Sequence, residues 1–305
     1  MSVPVLLVTG FLGAGKTTFI NRLLQADHGL RIAAIVNDFG SINIDAELLA
    51  QTSEDVIGLK NGCICCSLQG DLMRTLKVVL SRTPKPELIM IEASGVADPA
   101  GIVQSLMDPV IWKEARLETV IGVVDAPDSA WRADDPLWQA QLRGSDILLL
   151  SKTAECSHDE LKALRADMAS YGKNCILDMD DAPVPLSALF IKDDNPRAML
   201  EADLQDDGRF LHVEWEFEAP LDLHAFQEAI LRISDTALRG KGLLSFAGRH
   251  GRHVFQLVGK RATLSSAPWD QEKGCRLILI GERNTFDADA VLRKLNELRM
   301  SAPDV

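Results

Sequence analysis

The stretch "VLLVTGFLGAGKTTFINRLL", Val5 to Leu24, decides the fold of the first part of the chain. It consists of a short apolar run, a glycine-rich segment, and a segment whose apolar residues recur at helical spacing. Its middle, Gly10 to Thr17, fits the pattern G-x-x-x-x-G-K-[ST], which is typical of a phosphate-binding loop between a strand and a helix. The stretch therefore predicts a strand, an anion-binding loop and a helix.

The loop residues have separate expected tasks. Lys16 is expected to reach the β- and γ-phosphates of a nucleotide, and the Thr17 hydroxyl is expected to bind Mg²⁺. Backbone amides and the positive end of the helix would hold the phosphates. The other predicted phosphate-contacting positions are Gly10, Gly13, Ala14, Gly15 and Thr18.

Short apolar runs without polar interruptions recur later in the chain, with helical patterns between several of them. They are Ile32–Val36, Leu88–Ile91, Val120–Val124 and Ile147–Leu150. Continuous apolar runs are typical of strands in a parallel sheet that helices cover on both faces. The sequence therefore predicts an α/β fold, a doubly wound phosphate-loop nucleoside-triphosphatase domain with a mostly parallel sheet.

A second, smaller domain is expected because a chain of 305 residues exceeds the usual size of one domain. The stretch Ile191–Gly208 is acidic, contains a proline and lacks a sustained period, which is typical of a linker. In Leu211–Phe217 apolar and polar residues alternate, as in a strand with one wet face. We expect a nucleotide domain over residues 1–190, a linker over 191–209, and an α+β domain over 210–305.

Composition excludes two classes of partner. The formal net charge is −12 and no run of Lys or Arg interrupts it, which argues against nucleic-acid binding. The N-terminal apolar run lacks a basic lead and is too short for a membrane span or a secretory signal. We expect a cytoplasmic protein with no membrane partner, whose thiols are reduced.

Candidate ligand-binding residues follow two further predicted strands. Asp38 follows the second strand, and Glu92 and Gly95 follow the apolar run Leu88–Ile91. Ligands of such sheets bind beyond the carboxyl ends of the strands. We therefore expect Asp38 or Glu92 to assist Thr17 in binding Mg²⁺, directly or through water, and the Gly95 backbone to sense the γ-phosphate.

Three of the six cysteines lie within four positions, in the sequence "KNGCICCSLQGDL" from Lys60 to Leu72. Cys63, Cys65 and Cys66 are poorly placed to bridge one another, and thiolates are soft ligands for transition metals. Three sulfurs leave one position of a tetrahedral site open, which suits transient metal loading. Buried structural cysteines or a redox pair are the alternatives.

These motifs together resemble the CobW family of P-loop GTPases, whose wider class contains the nickel-handling chaperones for urease and hydrogenase. The resemblance rests on GFLGAGKTT (10–18), NDFG (37–40), NGCICCSLQGDL (61–72), EASGVADP (92–99), VVDA (123–126) and SKTA (151–154). It continues more weakly into the C-terminal part, through residues 238–248 and 253–261.

The resemblance implies a GTP-hydrolysing metallochaperone that uses GTP and Mg²⁺. Cys63, Cys65 and Cys66 would receive Zn²⁺, or Co²⁺, and pass it to a client metalloprotein. Ser151 and Lys152 would belong to the loop that reads the nucleotide base. A nucleotide-dependent homodimer is a further partner that the resemblance allows.

Some features depart from the family pattern. The base-reading loop of the family normally ends in aspartate, whereas this chain has Ala154, so the preference for GTP over ATP stays open. Glu155 could replace the missing carboxylate.

The acidic run Asp178–Asp181 is interpreted as a solvated loop, and His250 and His253 are interpreted as solvated turn residues.

Two other functions are compatible with the sequence. One is a metal sensor or scaffold that binds nucleotide without turnover. The other is a small-molecule kinase, whose phosphate-binding loop would look the same but which would not need the cysteine motif.

Overall fold

The computed structural model describes residues 2–26, 29–36, 56–58, 68–173, 175–181, 183–191, 209–267 and 274–300. The chain divides into two compact units. The first contains Met1–Tyr171 and Ile176–Val184, and the second contains Gly172–Cys175 and Pro185–Val305. In the described ranges, no helix is long and apolar enough to cross a membrane.

The first unit is built on one seven-stranded sheet in the order β3-β2-β4-β1-β5-β6-β7, and all its strand pairs are parallel. The strands are β1 (Val3–Thr9), β2 (Ile32–Val36), β3 (Val56–Gly58), β4 (Leu88–Glu92), β5 (Ala115–Asp125), β6 (Ile147–Ser151) and β7 (Ile176–Asp178). The predicted doubly wound parallel sheet is thus confirmed. Because β1 lies between β4 and β5, the loop that follows β1 meets the ends of both neighbours.

Helices connect these strands. They are α1 (Lys16–Gln25), α2 (Leu68–Leu80), α3 (Pro99–Leu106), α4 (Pro109–Trp112), α5 (Ser129–Arg132), α6 (Pro136–Gly144) and α7 (His158–Ser170). Three begin at an Asp-Pro pair, in which Asp98, Asp108 or Asp135 accepts a backbone N–H bond at 2.8 Å. Proline suits the first helical position because its missing N–H would have no partner there. A capping box formed by Ser157 and Glu160 opens α7.

The core explains why the strands read as continuous apolar runs. All residues of β2, β4 and β6 are buried, and so are most residues of β1 and β5. One cluster joins residues of β1, β2, β4 and β5 to Leu72, Leu76, Val79 and Leu80 of α2 and to Ile102 and Leu106 of α3. A strand that is covered on both faces has no solvated side where polar residues could alternate.

The second unit contains a five-stranded antiparallel sheet in the order β11-β10-β9-β12-β8. Its strands are β8 (Phe210–Phe217), β9 (Ala237–Ser245), β10 (Arg252–Val258), β11 (Arg261–Ala267) and β12 (Cys275–Glu282). Its helices are α8 (Leu186–Leu189), α9 (Leu223–Ile233) and α10 (Ala288–Met300). The alternation predicted for β8 is present, since Val213 and Trp215 are buried while Glu214 and Glu216 are exposed.

Strand β9 begins at Ala237, so that Arg239, Gly240 and Gly242 lie within it. In the structure Arg239 is 1% exposed and its guanidinium donates to the Leu189 carbonyl. A Cβ at Gly242 would lie 2.6 Å from the Arg276 carbonyl oxygen, so β12 passes too close for any side chain there. The predicted linker stays a prediction, because residues 192–208 lie outside the described ranges.

The interpretation of His253 as a solvated turn residue is wrong. His253 is 7% exposed within β10, and its ring packs edge-on against Phe246 at a centroid distance of 5.7 Å. His250 is exposed in the turn before the strand. Burial, followed by the charge of Arg249, lowers the pKa of His253 below its usual 6.5.

The lowered pKa of His253 predicts a pH-dependent stability. Above about pH 6.5 the histidine is neutral in both states, whereas below it the unfolded chain takes up a proton that the folded chain resists. The free energy of unfolding should therefore fall more between about pH 7.5 and 5.5 in wild type than in His253→Gln. Urea unfolding at both pH values measures this difference. His250→Gln is the exposed control and should keep the wild-type slope; equal slopes in all three proteins would contradict the assignment.

Candidate nucleotide site

The loop between β1 and α1 can only be made with glycines at its key positions. Gly10, Gly13 and Gly15 have φ angles of 141°, 75° and 95°, which residues with a Cβ rarely adopt. A Cβ at Gly10 would also lie 2.2 Å from the carbonyl oxygen of Val123 in β5. Gly15 is the N-cap of α1, so the first amides of this helix face the loop.

Lys16, the first residue of α1, is folded back over the loop. Its side chain is buried and its ammonium group donates to the Phe11 carbonyl oxygen at 3.0 Å. A cation held by an oxygen of the loop itself lies where phosphate oxygens bind in loops of this type. Lys16 thus lies over the loop, and its predicted contact with the phosphates stays a prediction.

Thr17 and Glu92 meet, although they are 75 residues apart in the chain. The Thr17 hydroxyl donates to the two carboxylate oxygens of Glu92 at 3.0 and 3.3 Å. Glu92 ends β4 and is only 4% exposed. A hydroxyl beside a carboxylate is an oxygen donor set that fits Mg²⁺.

Gly95 packs directly on the phosphate loop. A Cβ at this position would lie 2.7 Å from the Leu12 backbone nitrogen and 2.6 Å from a Leu12 methyl carbon. The Gly95 carbonyl accepts a hydrogen bond of 3.2 Å from the side-chain amide of Gln141, which also donates to the Ala97 carbonyl at 3.1 Å. Gln141 on α6 is 3% exposed and thus anchors the segment that follows β4.

The predicted base-reading residues lie on the opposite side of the loop from Glu92. The Ser151 hydroxyl donates to the Ala14 carbonyl at 2.8 Å, which ties the end of β6 to the phosphate loop. The Lys152 ammonium group donates a hydrogen bond to the carboxylate of Asp125, the last residue of β5. This hydrogen bond is the main cause that raises the pKa of Lys152 above its usual range.

Asp180 belongs to this side as well. Its carboxylate accepts the backbone N–H of Lys152 at 2.6 Å and is paired with Arg22 of α1 at 3.2 Å. Asp180 is exposed in the turn after β7, which agrees with the interpretation of Asp178–Asp181 as a solvated loop, but its carboxylate is bonded within the protein. Asp178 instead closes the turn, since it accepts the N–H groups of Asp180 and Asp181.

Sequence reasoning gave no signal for Gln141 or for Arg132, whose guanidinium carbon lies 3.8 Å from the centroid of the Phe11 ring. Neither residue belongs to a recognisable motif, because each acts on a loop that is distant in sequence. The contacts of Asp180 could have been suspected only from its place after a seventh strand, which was not predicted.

Four predicted site residues lie outside the described ranges. They are Asp38, Cys63, Cys65 and Cys66. Among the residues that the structure does describe, no three His, Cys, Asp or Glu side chains form a metal-binding group. Ala154 and Glu155 are exposed within a short 3₁₀ turn, Thr153–Glu155, and Glu155 is one of the charges that raise the pKa of Lys152.

Comparison with known families matches both units. Residues 4–175 match the family described as "CobW/HypB/UreG, nucleotide-binding domain". Residues 210–299 match the "Cobalamin synthesis protein cobW C-terminal domain".

Individual relatives agree with the family match. The zinc chaperone YjiA of Escherichia coli is 32% identical, over 89% of this chain and 90% of its own length. The zinc chaperone CobW of Pseudomonas aeruginosa is 31% identical, over 96% of this chain and 90% of its own length. The zinc-regulated GTPase metalloprotein activator 1 of Schizosaccharomyces pombe is 25% identical, over 72% of this chain and 54% of its own length. With matches over both units and the resemblance confirmed, the chain belongs to the CobW/HypB/UreG family and carries a CobW-type C-terminal domain.

Proposed function

We propose that this protein is a GTP-hydrolysing metallochaperone that delivers a transition metal, zinc first and cobalt next, to a client metalloprotein. The observation that carries the nucleotide part is the meeting of Thr17 and Glu92 beside a glycine loop that holds Lys16. The metal part is supported by two relatives that are named zinc chaperones and by the cysteine motif. The fungal relative, which is named a zinc-regulated GTPase, supports GTP as the nucleotide.

The oxygen donors present fit a magnesium site. The Thr17 hydroxyl and the Glu92 carboxylate would hold the ion, with Asp38 as a further candidate. When bound, Mg²⁺ neutralises charge on the phosphate oxygens. Glu92 is buried, and its place beside Thr17 keeps both oxygen donors together at the end of β4.

The protein's own contribution to hydrolysis is mainly positioning and charge stabilisation. Lys16 supplies a fixed positive charge at the loop, and the first amides of α1 supply hydrogen-bond donors. The Gly95 backbone packs against Leu12 of the loop, and we expect it to contact the γ-phosphate. Gln141 holds Gly95 from behind and keeps this segment in place.

The chain order links the metal motif to the nucleotide site. Gly58, which ends β3, lies at the carboxyl edge of the same parallel sheet from which Glu92 and the phosphate loop project. The cysteine motif follows β3 in the chain and precedes α2, which begins at Leu68. We propose that Cys63, Cys65 and Cys66 bind the cargo metal and that the nucleotide state changes their affinity for it.

A magnesium role for Thr17 predicts a specific loss of turnover. Thr17→Ala should lower Mg²⁺-dependent GTP hydrolysis by about 100-fold, because a direct ligand of the ion is lost. Phosphate release under multiple turnover measures this rate, with Thr263→Ala on the exposed strand β11 as the matched control. Turnover in Thr17→Ala that equals the control would refute the assignment. If wild type binds GTP without multiple turnover, the non-catalytic sensor is favoured instead.

The alanine at position 154 predicts weak recognition of the 2-amino group of guanine. Wild type should bind GDP and inosine diphosphate with affinities within about threefold, because no carboxylate at 154 accepts the 2-amino hydrogen bond. Ala154→Asp should favour GDP by about tenfold or more. Ala154→Asn, similar in size but uncharged, should give a smaller gain.

Calorimetric titration of the three proteins with both nucleotides measures these ratios. Strong discrimination by wild type would show that another group, such as Glu155, reads the base, and Glu155→Gln would then abolish it.

The metal role of the cysteines predicts a thiolate spectrum. Titration of the reduced protein with Co²⁺ should produce cobalt–thiolate charge-transfer absorption, which the variant Cys65→Ala/Cys66→Ala should lose. Cys156→Ser is the control, because Cys156 is a free, partly exposed cysteine outside the motif. The Co²⁺ affinity should differ between GDP and a non-hydrolysable GTP analogue. An affinity that ignores the nucleotide would overturn the coupling, and absorption that survives in the double variant would overturn the site.

A further inference from the structure

Lys152 has an unusual backbone conformation. Its φ and ψ angles are 56° and 30°, in the left-handed region, and among the described residues every other positive φ belongs to glycine. A residue with a Cβ adopts this conformation only where its surroundings enforce it, and such positions cluster at functional sites. The question is therefore which contacts enforce it here.

Two carboxylates from two different strand ends hold Lys152. Asp125, at the end of β5, accepts the ammonium group of its side chain. Asp180, two residues beyond the end of β7, accepts its backbone N–H at 2.6 Å. The side-chain contact leaves the backbone free to rotate, whereas the N–H contact fixes the peptide group that precedes Lys152.

Asp180 is itself fixed from two directions. Its other carboxylate oxygen accepts from both terminal nitrogens of Arg22, at 3.2 and 3.3 Å, and its N–H donates to Asp178 at 2.8 Å. Arg22 also donates to the Met179 carbonyl. Because Arg22 lies on α1, the helix that starts at the phosphate loop, Asp180 connects that helix to Lys152.

The order of the strands indicates the side of the phosphate loop on which a bound nucleoside would lie. Glu92 and Gly95 occupy the β4 side of the phosphate loop, where the magnesium and γ-phosphate contacts are expected. On the other side Ser151 bonds to Ala14, and the Met179 methyl lies 3.9 Å from the point that a Cβ of Gly15 would occupy. A nucleoside whose phosphates occupy the loop would therefore extend away from the β4 side, towards Lys152.

We propose that Asp180 is a positioning residue for the nucleoside, which fixes Lys152 in the left-handed conformation against which the base binds. The inference rests on the proposed nucleotide-binding function and deepens it. Asp180 acts through the Lys152 backbone and contributes to affinity for the nucleoside, not for the phosphates. Binding of the base would thus depend on a carboxylate that follows β7 and lies outside the base-reading motif.

The test compares a nucleotide with its phosphate part. Calorimetry measures the affinity for GDP and for inorganic tripolyphosphate in wild type, Asp180→Ala, Asp180→Asn and Asp181→Ala. Asp181 is the matched control, because it is an exposed neighbour with the same charge. Asp180→Ala should weaken GDP binding by about tenfold, the value of one charge-assisted hydrogen bond, and change tripolyphosphate binding by less than about twofold.

The conservative variant separates the two contacts of Asp180. Asp180→Asn keeps an oxygen for the Lys152 N–H and loses the charge that faces Arg22, so its GDP affinity should fall by only about threefold. Lys152→Gly supplies a residue that adopts the left-handed region without strain. In that background Asp180→Ala should cause no further loss of GDP affinity, since Asp180 acts only through Lys152.

Each outcome is decisive. Equal GDP affinities in Asp180→Ala and Asp181→Ala would overturn the inference, and so would a parallel loss of GDP and tripolyphosphate binding, which indicates a general structural role. Additive losses in the Lys152→Gly background would show that Asp180 does not act through Lys152. If wild type binds tripolyphosphate but not GDP, or neither, the proposed nucleotide function itself fails.

Discussion

The rest of the site depends on how closely two backbones approach the glycine loop. A Cβ at Gly10 would lie 2.2 Å from the Val123 carbonyl oxygen, and a Cβ at Gly95 would lie 2.7 Å from the Leu12 nitrogen. The loop is therefore clamped between β5 and the segment after β4, and only glycine fits at either contact. Because these two backbone contacts hold the loop, the direction of its amides and the start of α1 are fixed before any ligand binds.

This arrangement explains how an acidic chain can hold a polyphosphate. The formal net charge of −12 is spread over the whole protein, and at physiological salt exposed charges are screened beyond about 8 Å. At the loop itself, the helix N-terminus and Lys16 supply positive charge locally. Of the nearby carboxylates, Asp125 is paired with the Lys152 ammonium group, and Glu92 would face the Mg²⁺ of the proposed site together with Thr17.

One edge of the parallel sheet collects the elements of the proposed function. Glu92 ends β4, Ser151 ends β6, and Asp180 follows β7. Gly58 ends β3 at the same edge, ahead of the cysteine motif in the chain. A parallel sheet necessarily gathers the carboxyl ends of its strands, and under the proposed function this arrangement would give nucleotide hydrolysis a physical route to metal transfer.

The sequence by itself determined the elements whose cause is local. Continuous apolar runs predicted five of the seven strands of the first sheet, and the spacing of Gly10, Gly15 and Lys16 predicted the loop and the start of α1. These predictions succeed because each depends on residues that are close in sequence. Burial on both faces requires a continuous apolar run, and the positive φ angles of the loop require glycine at fixed positions. Only the tertiary structure decided the long-range contacts, in which the exposed Asp180 accepts the Lys152 N–H and Gln141 donates to the Gly95 carbonyl. His253 and Arg239 are also buried in the structure. The sequence does not reveal this, because the groups that bond to or cover a polar side chain come from strands that are distant in sequence.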